Sequence, residues 1–313
     1  MPEPGKVAAI DIGTNSVLLV IAAVSANQPR PLLERATITR LGEGVDETRR
    51  LAPAAIERSL ACLRSYAADL SAHGRPRLDA VGTSALRDAQ GAQAFMEQAE
   101  QILGVRPRVI AGDEEARLTF RGALSGLTLS GKLLVFDVGG GSTELIVGDA
   151  APSSPLESRA SLDIGSVRLF ERYVSCDPPT AQELAGIEAH VAQQLSSAAP
   201  LTSLRVGEPL TLVGVAGTVT TLKALELGLS PYDGARVHGA VLTLSAVEEL
   251  CERLASLPLT ERKKLPELKP KRADVIVAGA LIVREVLRRA GASQLVVSDR
   301  GVRFGLLQGL ISG

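Results

Sequence analysis

The chain has 313 residues, of which 45% are hydrophobic, and this length is enough to bury the cores of two domains of ordinary size. Its formal net charge of −1 argues against a general nucleic-acid or membrane-surface binder. The three cysteines lack disulfide or zinc spacing, the longest apolar runs have only strand length and no leader is recognisable, so we expect a cytoplasmic protein without a membrane span.

Strand and helix patterns alternate through the first half of the chain. Apolar runs bounded by turn residues predict five strands there. They cover residues 7–13, 16–24 and 32–41, a stretch that ends at Val81, and residues 108–111. Helical periodicity predicts helices over residues 54–73 and 84–103, and another from Asp113 onward. The predicted order of elements is therefore βββαβαβα.

The second half repeats this order. Its predicted strands cover residues 133–138, 143–147, 155–164, 210–215 and 237–244. Helices are predicted up to about Ser197, and another helix is predicted from Thr218 onward. A further helix follows the last of these strands. A further helix is predicted in the segment SDRGVRFGLLQGLI after Val296. The glycine-bearing connection 122–131 is predicted to be a hinge between the halves.

One motif occurs at the start of each half. AIDIGTNSVLLV contains Asp11 and Ser16, and VFDVGGGSTELIV contains Asp137 and Ser142 at the same points of a DxGxxS pattern. An apolar strand enters each motif and a second one leaves it, which is typical of a β-hairpin. Glycine allows several backbone N–H groups to point at one anion, and hydroxyl groups add donors. A single DxG fits an ordinary tight turn equally well, but the duplication favours two phosphate sites.

Eight segments, in chain order, resemble those of the exopolyphosphatase and guanosine pentaphosphatase family. They are AIDIGTNS, GTSALRD, AGDEEARL, FDVGGGSTE, GSVRLFER, VAGTVTTL, KRADVIVAGAL and VSDRGVRFGLL. The resemblance spans nearly the whole chain and is to the short, two-domain form of the family. It implies the α/β fold of the actin, Hsp70 and sugar-kinase superfamily, with two RNase H-like domains around a central cleft. The expected domains are residues 1–125 plus 300–313, with the last helix returning, and residues 126–299.

The acidic segment GDEEARL offers a candidate base for phosphoanhydride hydrolysis, which needs an activated water, hydrogen-bond donors and a cation. Asp113 and Glu114 stand four and three residues before Arg117, so either can form a local ion pair, whereas Glu115 has no such partner. Alternatively, all three acids merely favour the positive end of a helix dipole. The resemblance implies that Glu115 is the catalytic glutamate, and we predict it as the general base.

The resemblance also implies that Asp137 binds the metal, Mg²⁺ or Mn²⁺, and Asp11 holds the equivalent position in the first half. Glu144 either joins the metal site or faces solvent on the outgoing strand. The predicted phosphate-binding residues are those of the two turns and of two strand-to-helix junctions. They are Thr14, Asn15, Ser16, Arg87, Gly139, Gly140, Gly141, Ser142, Gly217 and Thr218.

Two further features have more than one interpretation. The basic run over residues 262–272 is either a solvated face or part of the substrate path, and Arg168 and Arg272 are additional candidates for phosphate contacts. His238 is predicted to be structural, because the reaction already has a carboxylate base.

Three functions follow from these residues. The first is Mg²⁺-dependent exopolyphosphatase activity on inorganic polyphosphate, and the second is hydrolysis of guanosine pentaphosphate by the same apparatus. The third is a non-catalytic alarmone or nucleotide sensor, which the presence of Glu115, Asp137 and both turns disfavours. With five Phe, three Tyr and no Trp, the chain offers few aromatic rings for stacking on guanine, which favours polyphosphate over guanosine pentaphosphate. Longer members of the family that the chain resembles carry an additional C-terminal helical region, and the shorter track expected without it favours short polyphosphates. A homodimer is left open.

Overall fold

The computed structural model describes residues 5–25, 28–151, 155–205 and 207–312. The chain forms two compact units, Met1–Gly122 with Val302–Gly313, and Ala123–Gly301. Each unit is built on one mixed β-sheet covered by helices, which confirms the predicted α/β class. No helix within the described residues is long and apolar enough to cross a membrane.

The first unit has a five-stranded sheet with the spatial order β3-β2-β1-β4-β5. Its strands are β1 (Lys6–Ile12), β2 (Ser16–Ser25), β3 (Gln28–Ile38), β4 (Arg77–Gly82) and β5 (Arg108–Val109). β1 pairs antiparallel with β2 and parallel with β4. The hairpin β1–β2 therefore lies in the middle of the sheet, and its turn lies at the edge where the parallel strands end.

The first unit's helices begin after the third strand. They are α1 (Val45–Thr48), α2 (Pro53–Ala72), α3 (Ser84–Asp88), α4 (Ala92–Leu103) and α5 (Gly112–Leu124). The prediction of one helix over residues 84–103 is wrong, because Ala89 is extended and Gly91 has a φ of 87°. The short α3 that results places Arg87 in its last turn.

The second unit has a six-stranded sheet with the order β10-β11-β9-β6-β7-β8. Its strands are β6 (Lys132–Val138), β7 (Thr143–Asp149), β8 (Leu156–Leu162), β9 (Thr211–Val215), β10 (Val241–Thr243) and β11 (Gln294–Val297). β6 pairs antiparallel with β7 and parallel with β9, as β1 does with β2 and β4. The first four strands of the two halves thus have the same arrangement.

The fifth strand of the second half is not the predicted one. Of residues 237–244, only Val241–Thr243 form a strand, and it lies antiparallel at the edge of the sheet. The parallel fifth strand is β11, which pairs with β9. Its apolar run is only the three residues Leu295 to Val297, too short to stand out from the helical pattern before it.

Helices enclose the apolar core of the second unit. They are α6 (Ser166–Tyr173), α7 (Ala181–Ser196), α8 (Ala199–Thr202), α9 (Ala216–Leu227), α10 (Gly234–Val237), α11 (Leu244–Ser256), α12 (Leu259–Arg262) and α13 (Ile276–Arg289). α13 is apolar on nearly every side and packs against α7 and α11, so it forms the centre of this core.

The last helix, α14 (Val302–Ser312), belongs to the first unit. Phe304 and Leu307 are completely buried with Val7 and Ala9 of β1. α14 also lies close to α5, because any side chain at Gly305 would overlap the backbone of Leu118. The face of the first sheet that carries Val7 and Ala9 is therefore covered by the end of the chain.

Candidate active site

The two DxGxxS motifs form turns of the same geometry. We call residues 13–16 the first turn and residues 139–142 the second turn. The N–H of Gly13 donates to the carbonyl oxygen of Ser16 at 3.0 Å, and the N–H of Gly139 donates to that of Ser142 at the same distance. In both turns a Cβ on the glycine would lie 3.0 Å from that oxygen. The sequence repeat is thus also a repeat in backbone structure.

The carbonyl groups of the second turn are occupied by the start of α6. The N–H of Ser166 donates to Gly139 O at 2.9 Å, and the N–H of Arg168 donates to Gly140 O at 3.1 Å. The Nε of Arg168, a residue only 7% exposed, donates to Gly141 O at 2.7 Å. Because carbonyl oxygens repel a phosphate, engaging them leaves the N–H side of the turn to meet an anion. Arg168 therefore stabilises the second turn on its carbonyl side.

The first turn is held in a comparable way by the segment after β3. Asn15 O accepts from the N–H groups of Thr39 and Arg40, both at 3.0 Å, and Thr14 O accepts from the N–H of Gly42 at 2.9 Å. The side chain of Thr14 is hydrogen-bonded to that of Ser84 at 2.8 Å. This links the first turn to the start of α3.

A glycine after the third strand allows this close packing in each half. A side chain at Gly165 would overlap the carbonyl of Gly140, and one at Gly42 would overlap the methyl group of Thr14. A buried aliphatic residue, Ile164 or Leu41, precedes each glycine. Sequence analysis missed this second repeated signal because an apolar residue followed by glycine is too short to recognise alone.

The two strand-to-helix junctions lie beside the turns. Thr83 N donates to the carbonyl of Ile12 at 3.2 Å, and Thr218 Oγ1 donates to that of Val138 at 3.4 Å. The starts of α3 and α9 are thereby held next to the ends of β1 and β6. Ala216, immediately before Gly217, has a φ of 67°, a conformation that costs a non-glycine residue about 1–3 kcal/mol.

Arg272 lies against the junction that contains Gly217. Its Nη1 donates to Gly217 O and, at 2.7 Å, to Thr221 Oγ1, and burial lowers the pKa of its guanidinium to about 10. The basic run is therefore not one solvated face. Arg262, at its start, is 1% exposed and paired with Asp177 at 3.2 Å, whereas Lys263, like the other lysines of the run, is exposed.

Glu115 lies in the first turn of α5 and is 7% exposed. Its Oε2 accepts from Arg87 Nη1 at 2.6 Å, and the same Nη1 donates to the carbonyl of Ile110 at 3.0 Å. Glu114 is paired with Arg108 at 2.8 Å instead of the expected Arg117. The prediction that Glu115 lacks a partner within its helix misses this long-range pair. The first unit thus places the predicted base and the predicted phosphate ligand Arg87 in contact.

Asp137, Glu144 and Ser161 stand directly opposite one another on β6, β7 and β8. We call them the acidic row. Glu144 is 2% exposed, so the alternative that it faces solvent is wrong, and its Oε1 accepts from Ser142 Oγ at 2.7 Å and from Ser161 Oγ at 2.8 Å. Directly opposite residues have Cβ atoms about 4.5–5.5 Å apart, and two like charges in such a pair repel. A bound cation would offset that repulsion.

The acidic row fits a magnesium site that substrate and water complete. Among the described residues there is no group of three or more His, Cys, Asp and Glu side chains that could hold a metal on its own. Mg²⁺ is commonly held by one or two carboxylates together with phosphate oxygens and water. In the first unit Asp11 stands opposite Leu18, so only the second unit pairs two carboxylates.

His238 belongs to a hydrogen-bond network in the second unit, in keeping with the structural role expected of it. Its Nε2 donates to the carbonyl of Ser125 at 3.1 Å, and its Nδ1 is 3.3 Å from a carboxylate oxygen of Asp299. Arg300 Nη1 also donates to Ser125 O, at 3.0 Å. The beginning of the predicted hinge segment is thus hydrogen-bonded to His238 and to the SDRG segment, whose Ser298 Oγ donates to Ala123 O at 2.9 Å.

Comparisons with known proteins show the family to which the chain belongs. The profile of the Ppx/GppA phosphatase family matches residues 20–312. Exopolyphosphatase 2 of Mycobacterium tuberculosis is 40% identical over 315 residues, which cover 96% of this chain and 97% of that protein. A solved exopolyphosphatase-like protein is 36% identical, with a TM-score of 0.91 and 98% of both chains covered.

A Ppx/GppA family member from Aquifex aeolicus is 35% identical and has a TM-score of 0.81, with 98% of each chain covered. The family profile extends over both units and includes the second turn and the acidic row. The chain therefore belongs to the Ppx/GppA phosphatase family.

Proposed function

We propose that this protein removes terminal phosphate groups from inorganic polyphosphate by hydrolysis, with Mg²⁺ or Mn²⁺ as the cofactor. The observation that carries the proposal is the acidic row, in which Asp137 and Glu144 face each other next to the second turn. A paired carboxylate site beside a phosphate-binding turn suits a metal–phosphate complex. The name of the Mycobacterium tuberculosis relative, an exopolyphosphatase, supports the choice of substrate.

Each half contributes a different part of the proposed reaction. Asp137 and Glu144 would hold the cation, which supplies neutralising charge to the phosphate oxygens. The N–H groups of the second turn orient the phosphate, and Arg168 keeps the carbonyl of Gly141 away from it. Glu115 accepts a proton from the attacking water, the task of a general base.

Arg87 links substrate binding to the base. Its Nη1 is 2.6 Å from Glu115 Oε2, so that oxygen cannot readily take a proton while the guanidinium occupies it. A substrate phosphate offers Arg87 a bidentate partner with more negative charge than one carboxylate. Transfer of the guanidinium to phosphate then leaves Glu115 available to the water.

Hydrolysis of guanosine pentaphosphate is the alternative, and one observation favours it. Tyr232 is 46% exposed and close enough to Arg272 to influence the pKa of the guanidinium. An exposed ring beside a cation is a surface on which a guanine base could stack. The aromatic residues Phe95, Phe136 and Phe304 are completely buried and cannot serve this purpose. We therefore rank inorganic polyphosphate first.

A side-by-side assay tests these functions. Phosphate release would be measured from tripolyphosphate, long-chain polyphosphate, guanosine pentaphosphate and ATP, with Mg²⁺ and with excess chelator. We expect the highest kcat/KM on short polyphosphate and no release with chelator. A higher kcat/KM on guanosine pentaphosphate would establish the alternative. Tight binding without phosphate release from any substrate would identify a non-catalytic sensor.

A further inference from the structure

We propose that Ser161 is a positioning residue that orients the Glu144 carboxylate for metal binding. The inference rests on the proposed function, since it concerns the metal site of that reaction. Ser161 lies on the edge strand β8, outside the eight sequence segments from which the family resemblance was first identified. Its place opposite Glu144, which itself stands opposite Asp137, puts all three side chains on one face of the sheet.

The hydrogen bonds at Glu144 show what Ser161 does. Ser161 is an exposed residue, and such a serine ordinarily bonds to water, yet its hydroxyl donates to a carboxylate that is only 2% exposed. Ser142 donates to the same oxygen, Oε1, at 2.7 Å. Two donors on one oxygen fix the rotation of the carboxylate and hence the direction of both of its oxygens. Partners outside the ligand shell commonly orient metal ligands in this way.

Ser142 cannot perform this task throughout the reaction. It belongs to the second turn, where its hydroxyl is predicted to donate to a phosphate. A serine hydroxyl has one hydrogen and cannot donate it to a phosphate and to Glu144 together. Ser161 lies on β8, outside the second turn, so its hydroxyl can keep Glu144 oriented when Ser142 turns to the substrate. Ser142 would thus donate to the phosphate, while Ser161 continues to donate to the metal ligand Glu144.

The first unit provides an internal comparison. There the residues opposite one another are Asp11, Leu18 and Ala36. Leu18 stands where the second unit has the carboxylate of Glu144, and Ala36 stands where it has the hydroxyl of Ser161. The pair Glu144 and Ser161 therefore occurs as a unit in the half where a cation is proposed.

Binding of Mn²⁺ to the full-length, substrate-free protein tests the inference directly, by electron paramagnetic resonance. Ser161→Ala should raise the dissociation constant for Mn²⁺ about 10- to 100-fold, the usual effect of losing such a partner. Ser161→Thr keeps the hydroxyl and suits a strand, so it should restore affinity close to that of wild type. Ser158→Ala is the matched control, because Ser158 lies on the same strand opposite Val147.

The outcomes separate this inference from the proposed function. Unchanged Mn²⁺ affinity in Ser161→Ala, with a clear loss in Asp137→Asn, overturns the assignment of Ser161 and leaves the metal site intact. Unchanged affinity in both variants overturns both proposals. Thermal unfolding checks the fold, and if Ser161→Thr fails to recover affinity while remaining folded, orientation through the hydroxyl is wrong.

Discussion

In the first unit Asp11 stands opposite Leu18, whereas in the second unit Asp137 stands opposite Glu144, although the turns that follow both aspartates have the same hydrogen-bonded geometry. The backbone of the repeat has been kept and the neighbouring side chains have diverged. In the second half they form a paired acidic site, and in the first half the charge lies on α5, where Glu115 contacts Arg87. Two copies of one fold thus carry different charged groups beside turns of the same geometry.

The largest expected effect comes from removing the proposed base, Glu115, which lies in the first unit. Glu115→Gln keeps the shape of the side chain but removes the proton acceptor, so kcat should fall by about 10²- to 10⁴-fold. Steady-state phosphate release from tripolyphosphate measures this. Glu114→Gln is the control and should retain activity, since Glu114 is engaged with Arg108. Near-normal kcat in Glu115→Gln would place the base elsewhere.

The two aspartates offer the sharpest test of the comparison. Asp137→Asn should raise the Mg²⁺ concentration for half-maximal activity at least about 10-fold, because an amide is a poorer Mg²⁺ ligand than a carboxylate. Asp11→Asn should have the smaller effect, since its opposite neighbour is Leu18. Metal titrations of both variants decide this. Equal shifts would show that the halves share the cation equally.

The glycines after the third strands should differ in their tolerance. At Gly165 a methyl group meets the backbone of Gly140, whereas at Gly42 it meets the side chain of Thr14, which can rotate away. Gly165→Ala should therefore lower the free energy of unfolding by about 1–3 kcal/mol, the usual cost of overpacking, and Gly42→Ala by less. Urea denaturation measures both values. The reverse order would mean that the second turn yields more easily than the first.

The smallest expected effect concerns chain length of the substrate. If the predicted phosphate-binding residues are the ones that hold the chain, each added phosphate unit gains little avidity, so the protein should prefer short polyphosphates and release its product between turnovers. Analysis of partly digested long chains should show a ladder of intermediates. Complete digestion of some chains beside untouched ones would indicate processive action instead.

The sequence predicts those parts of the structure that depend on local pattern. Long apolar strands such as β1 and β6 and the paired turns were assigned from their residues alone. The pair of Arg87 and Glu115 could not be assigned, because 28 residues separate them and only the packing of α3 against α5 brings them together. Ser161 was missed for a similar reason, since only strand register shows which carboxylate it faces.

The position of α14 has a consequence for synthesis of the protein. Phe304 and Leu307 complete the core beside Val7 and Ala9, yet they are translated only after the entire second unit. Domains generally fold in order as they leave the ribosome. We therefore expect one face of the first unit's sheet to stay uncovered until α14 has been translated, so that the second unit can finish folding before the first.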